Sequence, residues 1–187
     1  QGVYLRRFNA DGSAIDATDV LVNSGNTTSD QENASVALSS SGSGVVTWQS
    51  TGSVEGVYAR TFTLSESVAG NSLSSALITV DTGGDRLNPS VDINDDGKFV
   101  IGWQKDNKPF LQRYNSDGTA NGSEIDNNTL NFLGNTELNI VVGMQNNGGF
   151  VVAYRSQIPL FNGVWYRVYD SNGSPTGLAQ AVATGTQ

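Results

Sequence analysis

The residue run with the most explicit chemistry is Asp92-Ile93-Asn94-Asp95-Asp96-Gly97, which has the Asp-x-Asn-x-Asp-Gly form of the first half of a calcium loop. Alternating carboxylate and amide oxygens on a glycine-ended bend can wrap a hard, oxygen-seeking cation, so Asp92, Asn94 and Asp96 are the candidate calcium ligands. Two features oppose that reading. The position of the closing bidentate Glu is held by Trp103, and the corresponding segments Ala37 to Gly42 and Gly143 to Gly148 lack the oxygens. An acidic hairpin turn is the plainer explanation, and no other cofactor is expected. Aromatic rings are a second candidate chemistry, because they stack on sugar faces. Phe161, in the irregular stretch Gln157 to Gly163, is the candidate for an exposed sugar-binding ring. A third is a recurrent cationic position, held by Arg6, Arg60, Gln112 and Arg167, which would either hold an anion or cap backbone carbonyls and pair with carboxylates between units. Gln112 in that series favours the structural role.

Catalytic constellations are missing from the sequence. With no His and no Cys, the commonest general base, the thiol nucleophile and the thiolate metal site are all absent. The many serines therefore have no His partner. Lys98, Lys105 and Lys108 cluster in one stretch, and no glycine-rich phosphate loop precedes a helix. No enzyme is expected; an enzyme working through scattered carboxylates is the least favoured of three functional readings.

The elements that must position these residues form a repeat. Val3-Tyr4-Leu5-Arg6-Arg7-Phe8 returns as Val57-Tyr58-Ala59-Arg60-Thr61-Phe62, as Pro109-Phe110-Leu111-Gln112-Arg113-Tyr114 and as Val164-Trp165-Tyr166-Arg167-Val168-Tyr169. The anchoring aromatics Phe8, Phe62, Tyr114 and Tyr169 lie 54, 52 and 55 residues apart. Two more phrases keep step. One is Val45-Val46-Thr47-Trp48-Gln49, Val100-Ile101-Gly102-Trp103-Gln104 and Val151-Val152-Ala153-Tyr154-Arg155; the other is Ala34 to Leu38, Pro89 to Ile93 and Ile140 to Met144.

Each unit reads as four strands, with Ser41-Gly42, Asp96-Gly97 and Asn147-Gly148 as hairpin turns after the first. A weaker fourth strand falls at Asp19 to Asn23, Ala76 to Asp81, Ser123 to Asn127 and Ala179 to Thr184. Thirteen of the sixteen aromatics occupy repeat positions, as packing between sheets demands; Phe132, Phe161 and Tyr166 are left over. The expected fold is all-β, with four-stranded antiparallel units forming a β-propeller or propeller fragment; the alternative is an array of small β-sandwich units or a solenoid. The chain divides into a half unit at 2–23 and units at about 34–81, 89–127 and 138–184, one repeat domain over 1–187. The half unit has strands three and four only, so a sheet edge is expected to stay open. The expected partners are adjacent repeats of a longer chain or further copies of this one.

These phrases resemble repeats of large secreted bacterial proteins of the haemolysin-type and adhesin-like classes. The resemblance implies propeller blades, an extracellular or cell-surface location and no catalysis. The nonapeptide calcium repeat of the haemolysin class is not present. Composition sets further bounds. The net charge of −8 opposes binding to nucleic acid or an anionic membrane, and no apolar run approaches the roughly 18 residues of a membrane-spanning helix. Neither membrane insertion nor a signal peptide is expected within the chain. The function expected is a non-catalytic structural or adhesive module, with a carbohydrate-binding module, and glycans as partners, as the alternative.

Overall fold

Runs in which β-branched and aromatic residues alternate with small or polar ones suit a pleated, half-buried backbone, and glycine-containing polar clusters end them. Such runs form the strands of this chain in a computed structural model that describes residues 2–64, 73–74, 76–127, 137–157 and 162–184. Among the described residues there is no helix, and fourteen strands form four antiparallel sheets. The half unit pairs β1 (Tyr4–Leu5) with β2 (Val20–Leu21). The first complete unit runs β3 (Asp30–Leu38), β4 (Ser43–Thr51), β5 (Gly56–Thr63) and β6 (Ile78–Thr82). The second runs β7 (Arg86–Ile93), β8 (Phe99–Lys105), β9 (Lys108–Tyr114) and β10 (Ile125–Asp126). The third runs β11 (Glu137–Met144), β12 (Phe150–Ser156), β13 (Gly163–Tyr169) and β14 (Gln180–Thr184). Each complete sheet is a meander in chain order. The fold is therefore the expected all-β run of four-stranded antiparallel units, consistent with a propeller fragment or with an array of small β units.

The turns differ from the two-residue hairpins suggested by the Asp-Gly and Asn-Gly pairs. After β3 the Ser39 N–H donates to Ser43 O (2.8 Å) and the Gly42 N–H to Ser39 O (3.1 Å), with φ +84° at Gly42 and an ordinary φ at Ser41. That is a type I turn closed by one left-handed residue, in which only the glycine needs positive φ. The same pattern recurs at Gly97 and Gly148.

The first strands also start earlier than the sequence phrases, because each passes through a bulge. Asn33, Asn88 and Asn139 hold φ of 50°, 52° and 58°, and at each the register slips against the second strand. Asparagine tolerates the left-handed region better than other non-glycine residues, so the bulge recurs where the asparagine recurs.

The core lies between sheets. Val3 and Val22 of the half unit meet Val46, Trp48, Tyr58 and Phe62 of the first unit. Ala37, Val45, Val57 and Ala59 on the other face of the first unit meet Val91, Ile93, Ile101 and Trp103 of the second. Val100 and Leu111 then meet Ile140, Val142, Val152 and Tyr154 of the third. Each complete sheet thus turns its bulkier aromatic face to the sheet before it, which follows from the period-2 alternation of β4, β8 and β12. Within sheets, Phe99 stacks on Tyr114 and Phe150 on Tyr169, with ring centroids 4.8 and 4.9 Å apart. The first unit has Gly44 where the others have phenylalanine, and the Phe62 ring lies over it: a Cβ there would fall 2.2 Å from Phe62 Cζ.

Candidate functional site at the open edge

The acidic run fitted to a calcium loop serves as a latch between units. Asp92 Oδ2 accepts the Met144 backbone N–H (2.6 Å), and its Oδ1 accepts that of Ile93 (3.0 Å). Asn94 Oδ1 accepts the Lys98 N–H (2.9 Å), while its Nδ2 donates to Asn146 O (3.3 Å). Asp96 is exposed at the rim of a crevice shared with Lys98, Arg113 and Asn147, a cationic setting for a would-be cation ligand. Asn94 lines the same crevice as Asp96, while both Asp92 oxygens accept backbone N–H groups. Among the described residues no group of three or more acidic side chains is placed to hold a metal ion. The residue that sequence reasoning passed over is Asp95. Its Oδ1 accepts from the Ser40 backbone N–H (3.1 Å) and hydroxyl (2.5 Å), and its Oδ2 accepts from Asn146 Nδ2 (2.6 Å). The hydrogen bond from Ser40 holds the Asp95 carboxyl below its usual range. Ser40, Asp95 and Asn146 occupy one repeat position, so alignment of the units was the available signal.

At the far end of the same strands Gln49 Oε1 accepts from Asn33 Nδ2 (3.0 Å) and from the Asn88 N–H (2.8 Å), joining two bulges. The recurrent cationic position is structural wherever its contacts are resolved. Arg60 donates to Ser24 Oγ (2.5 Å) and Ser24 O (2.9 Å), Gln112 to the carbonyls of Arg113 and Gly122, and Arg167 to Gly177 O. Arg6 lies over the Phe8 ring, 5.8 Å from its centroid, and 3.8 Å from Asp19. Phe161 and Phe132 lie outside the described residues.

The half unit carries the feature that stands apart. Its strand β1 is held to the first unit from below by Arg7, whose side chain is 5% exposed and faces the 8% exposed carboxylate of Asp16. Arg7 Nη2 donates to Asp16 Oδ1 (2.5 Å), Arg7 Nε donates to Oδ2 (3.0 Å), and Arg7 Nη1 donates to Thr63 O of the first unit (2.7 Å). The hydrogen bond from Arg7 keeps the Asp16 carboxyl below its usual range, and the same bond raises the guanidinium. Arg113 repeats the outward half of this device, donating to Ser171 O of the third unit (2.7 Å).

On the opposite face of β1 the rings stand bare. Tyr4 is 62% and Phe8 53% exposed, whereas the aligned Tyr58 and Phe62 are 4% and 5% exposed. Beyond them, Val36 and Leu38 of β3 are 58% and 50% exposed, against 6% and 7% for the aligned Val91 and Ile93. Tyr4 and Phe8 were expected in the core with the other repeat aromatics. They are exposed because a third-strand ring such as Tyr58 or Phe62 is buried both beside a second strand and against the sheet before it, and among the described residues neither stands beside β1. One unpaired strand edge and four exposed apolar side chains thus mark the half unit and the strand β3 next to it, chemistry suited to main-chain pairing and apolar cover rather than bond making. No protein-family model matches the chain, and no curated protein matches it.

Proposed function

We propose that the chain is a non-catalytic structural or adhesive repeat module of an extracellular or cell-surface protein. It presents a rigid β surface and joins further repeats or copies through the open edge of its half unit. The observation that carries this reading is the exposure of Tyr4 and Phe8, whose counterparts in the three complete units are buried (Tyr58, Phe62, Tyr114 and Tyr169) or partly buried (Phe110 and Trp165). Support for the non-catalytic part comes from four carboxylates whose oxygens take part in structural contacts. Asp16 serves Arg7, Asp92 and Asp95 join units two and three, and Asp81 accepts from Arg86, Lys105 and Trp103. The extracellular part rests on the resemblance of the repeat phrases to secreted bacterial proteins.

Absolute mass by light scattering during size exclusion tests the reading, run with calcium and then with chelator. A dimer or larger species that dissociates on Tyr4→Ser/Phe8→Ser is the expected result for a chain that joins copies. A monomer whose β1 amides are already protected from exchange would sink the edge-joining mechanism. A mass that responds to chelator would restore the Asp92, Asn94 and Asp96 site. The carbohydrate-binding alternative draws on the same two exposed rings; saturable glycan binding lost in the double variant would favour it.

A further inference from the structure

Every complete unit shows what stands beside a third strand. Opposite the residue aligned with Tyr4 there is an aromatic on the second strand: Trp48 faces Tyr58, Trp103 faces Phe110 and Tyr154 faces Trp165. Opposite the residue aligned with Phe8 there is glycine or phenylalanine: Gly44 faces Phe62, Phe99 faces Tyr114 and Phe150 faces Tyr169. The same first hairpin covers the next unit. Val91 and Ile93 are buried against Ala37 and Val45 of the preceding first and second strands. Its side chains also accept backbone donors there, since the N–H groups of Val142 and Met144 go to Ser90 Oγ (3.2 Å) and Asp92 Oδ2 (2.6 Å). By alignment, Val36 and Leu38 hold the positions of Val142 and Met144.

We infer that the open β1 edge, together with the exposed Val36 and Leu38 of β3, receives a two-stranded β-hairpin with the first-hairpin pattern of this same repeat. The occupant pairs its second strand with β1, setting an aromatic against Tyr4 and a glycine or phenylalanine against Phe8. Its first strand covers Val36 and Leu38 and offers a hydroxyl and a carboxylate to their N–H groups. This inference rests on the open-edge reading and specifies the partner. Two β1 edges meeting about a two-fold axis would pair the strands but supply no first strand over Val36 and Leu38. A sugar would cover a ring and leave the two aliphatic side chains bare. Edge pairing gives such a complex its affinity, and the alternate side chains give it register.

The test uses the full 187-residue chain and a synthetic peptide of residues 86–105, the hairpin of β7 and β8. Arg86 pairs with Lys105 at its open end, so a disulfide between cysteines appended there holds it closed. Calorimetry is expected to give one-to-one binding, and hydrogen exchange a slowing of about 10-fold or more in segments 3–8 and 34–38 together. Tyr4→Ser/Phe8→Ser, whose side chains are exposed and whose fold is checked by unchanged protection of 89–114, is expected to weaken binding about 10-fold or more. A Trp103→Ser peptide is expected to weaken it comparably.

Absence of binding at about 1 mM peptide, or protection of 3–8 without 34–38, overturns the inference. A dimer that dissociates in the double variant while excluding the peptide overturns the hairpin as occupant but preserves the open-edge reading. A monomer whose edge exchange responds neither to peptide nor to protein concentration removes both.

Discussion

Replacing Asp16 tests how the half unit is held. The Arg7 guanidinium is nearly buried, and besides Thr63 O its resolved contacts all run to this carboxylate, which also accepts the Arg7 backbone N–H at 2.8 Å. Asp16→Ala leaves a desolvated cation with one carbonyl, and removal of one partner of such a pair costs about 3–5 kcal/mol. At about 1.4 kcal/mol per decade, that is a loss of roughly 100-fold or more in protection for the segment it secures. Hydrogen exchange resolved by peptide is the assay, with 2–26 as the affected segment and 86–114 as the internal reference. The double replacement Arg7→Met/Asp16→Leu removes both charges and is expected to recover most of the protection, because the cost lies in the orphaned charge rather than in the loss of a bond. A change below about 3-fold in 2–26, or an equal loss in 86–114, would refute the reasoning. The first result would mean that the pair contributes little, and the second that the units open together.

Asp81 joins the first and second units by accepting from Arg86 Nε (3.1 Å), Lys105 Nζ (3.1 Å) and Trp103 Nε1 (3.2 Å). Asp81→Asn is expected to lower stability by about 2–3 kcal/mol, read as a shift in the urea midpoint by Trp fluorescence. Gly102→Ala places a Cβ 2.9 Å from both Ile140 Cγ2 and Val142 Cγ1, so overpacking of about 1–3 kcal/mol is expected in thermal or urea unfolding. Gly143→Ala, whose Cβ would meet Val151 Cγ1 at 3.5 Å, is the matched control and is expected to change stability by less than about 0.5 kcal/mol. Asp16 and Asp95 titrate below their usual range when folded, so they contribute stability above the unfolded carboxylate value near pH 4 and lose it as pH falls through their folded values. With no histidine in the chain, urea midpoints are expected to stay nearly level from about pH 7 to 5 and to fall below about pH 4; a step near pH 6 would contradict this.

Much of the fold was legible because it is written locally and then repeated. Alternation along Val45 to Gln49 and its two copies specifies a strand with two unlike faces, and glycine at Gly42, Gly97 and Gly148 specifies a turn through its own φ. Counting strands in register with the repeat also located the half unit and its open edge. The turn type and the asparagine bulges were not legible, because a dipeptide signal does not distinguish one left-handed residue from two, and a bulge is defined against the neighbouring strand. The candidate site was legible only in outline. Asp92, Asn94 and Asp96 match a cation loop in spacing, yet Asp92 and Asn94 bond across to Met144 and Asn146.

The sequence by itself determined the period, the strand order, the all-β class and the absence of histidine and cysteine chemistry. Each of these depends on residue type and on neighbours a few positions away. Only the tertiary structure decided which carboxylates are latches, that Arg7 finds Asp16, and that Tyr4 and Phe8 stand bare while Tyr58 and Phe62 are buried. The physical reason is that a side chain's partner and its burial are set by the sheet beside it. Asp95 finds Asn146 at a separation of 51 residues, and identical repeat positions meet different neighbours at the two sides of the half unit.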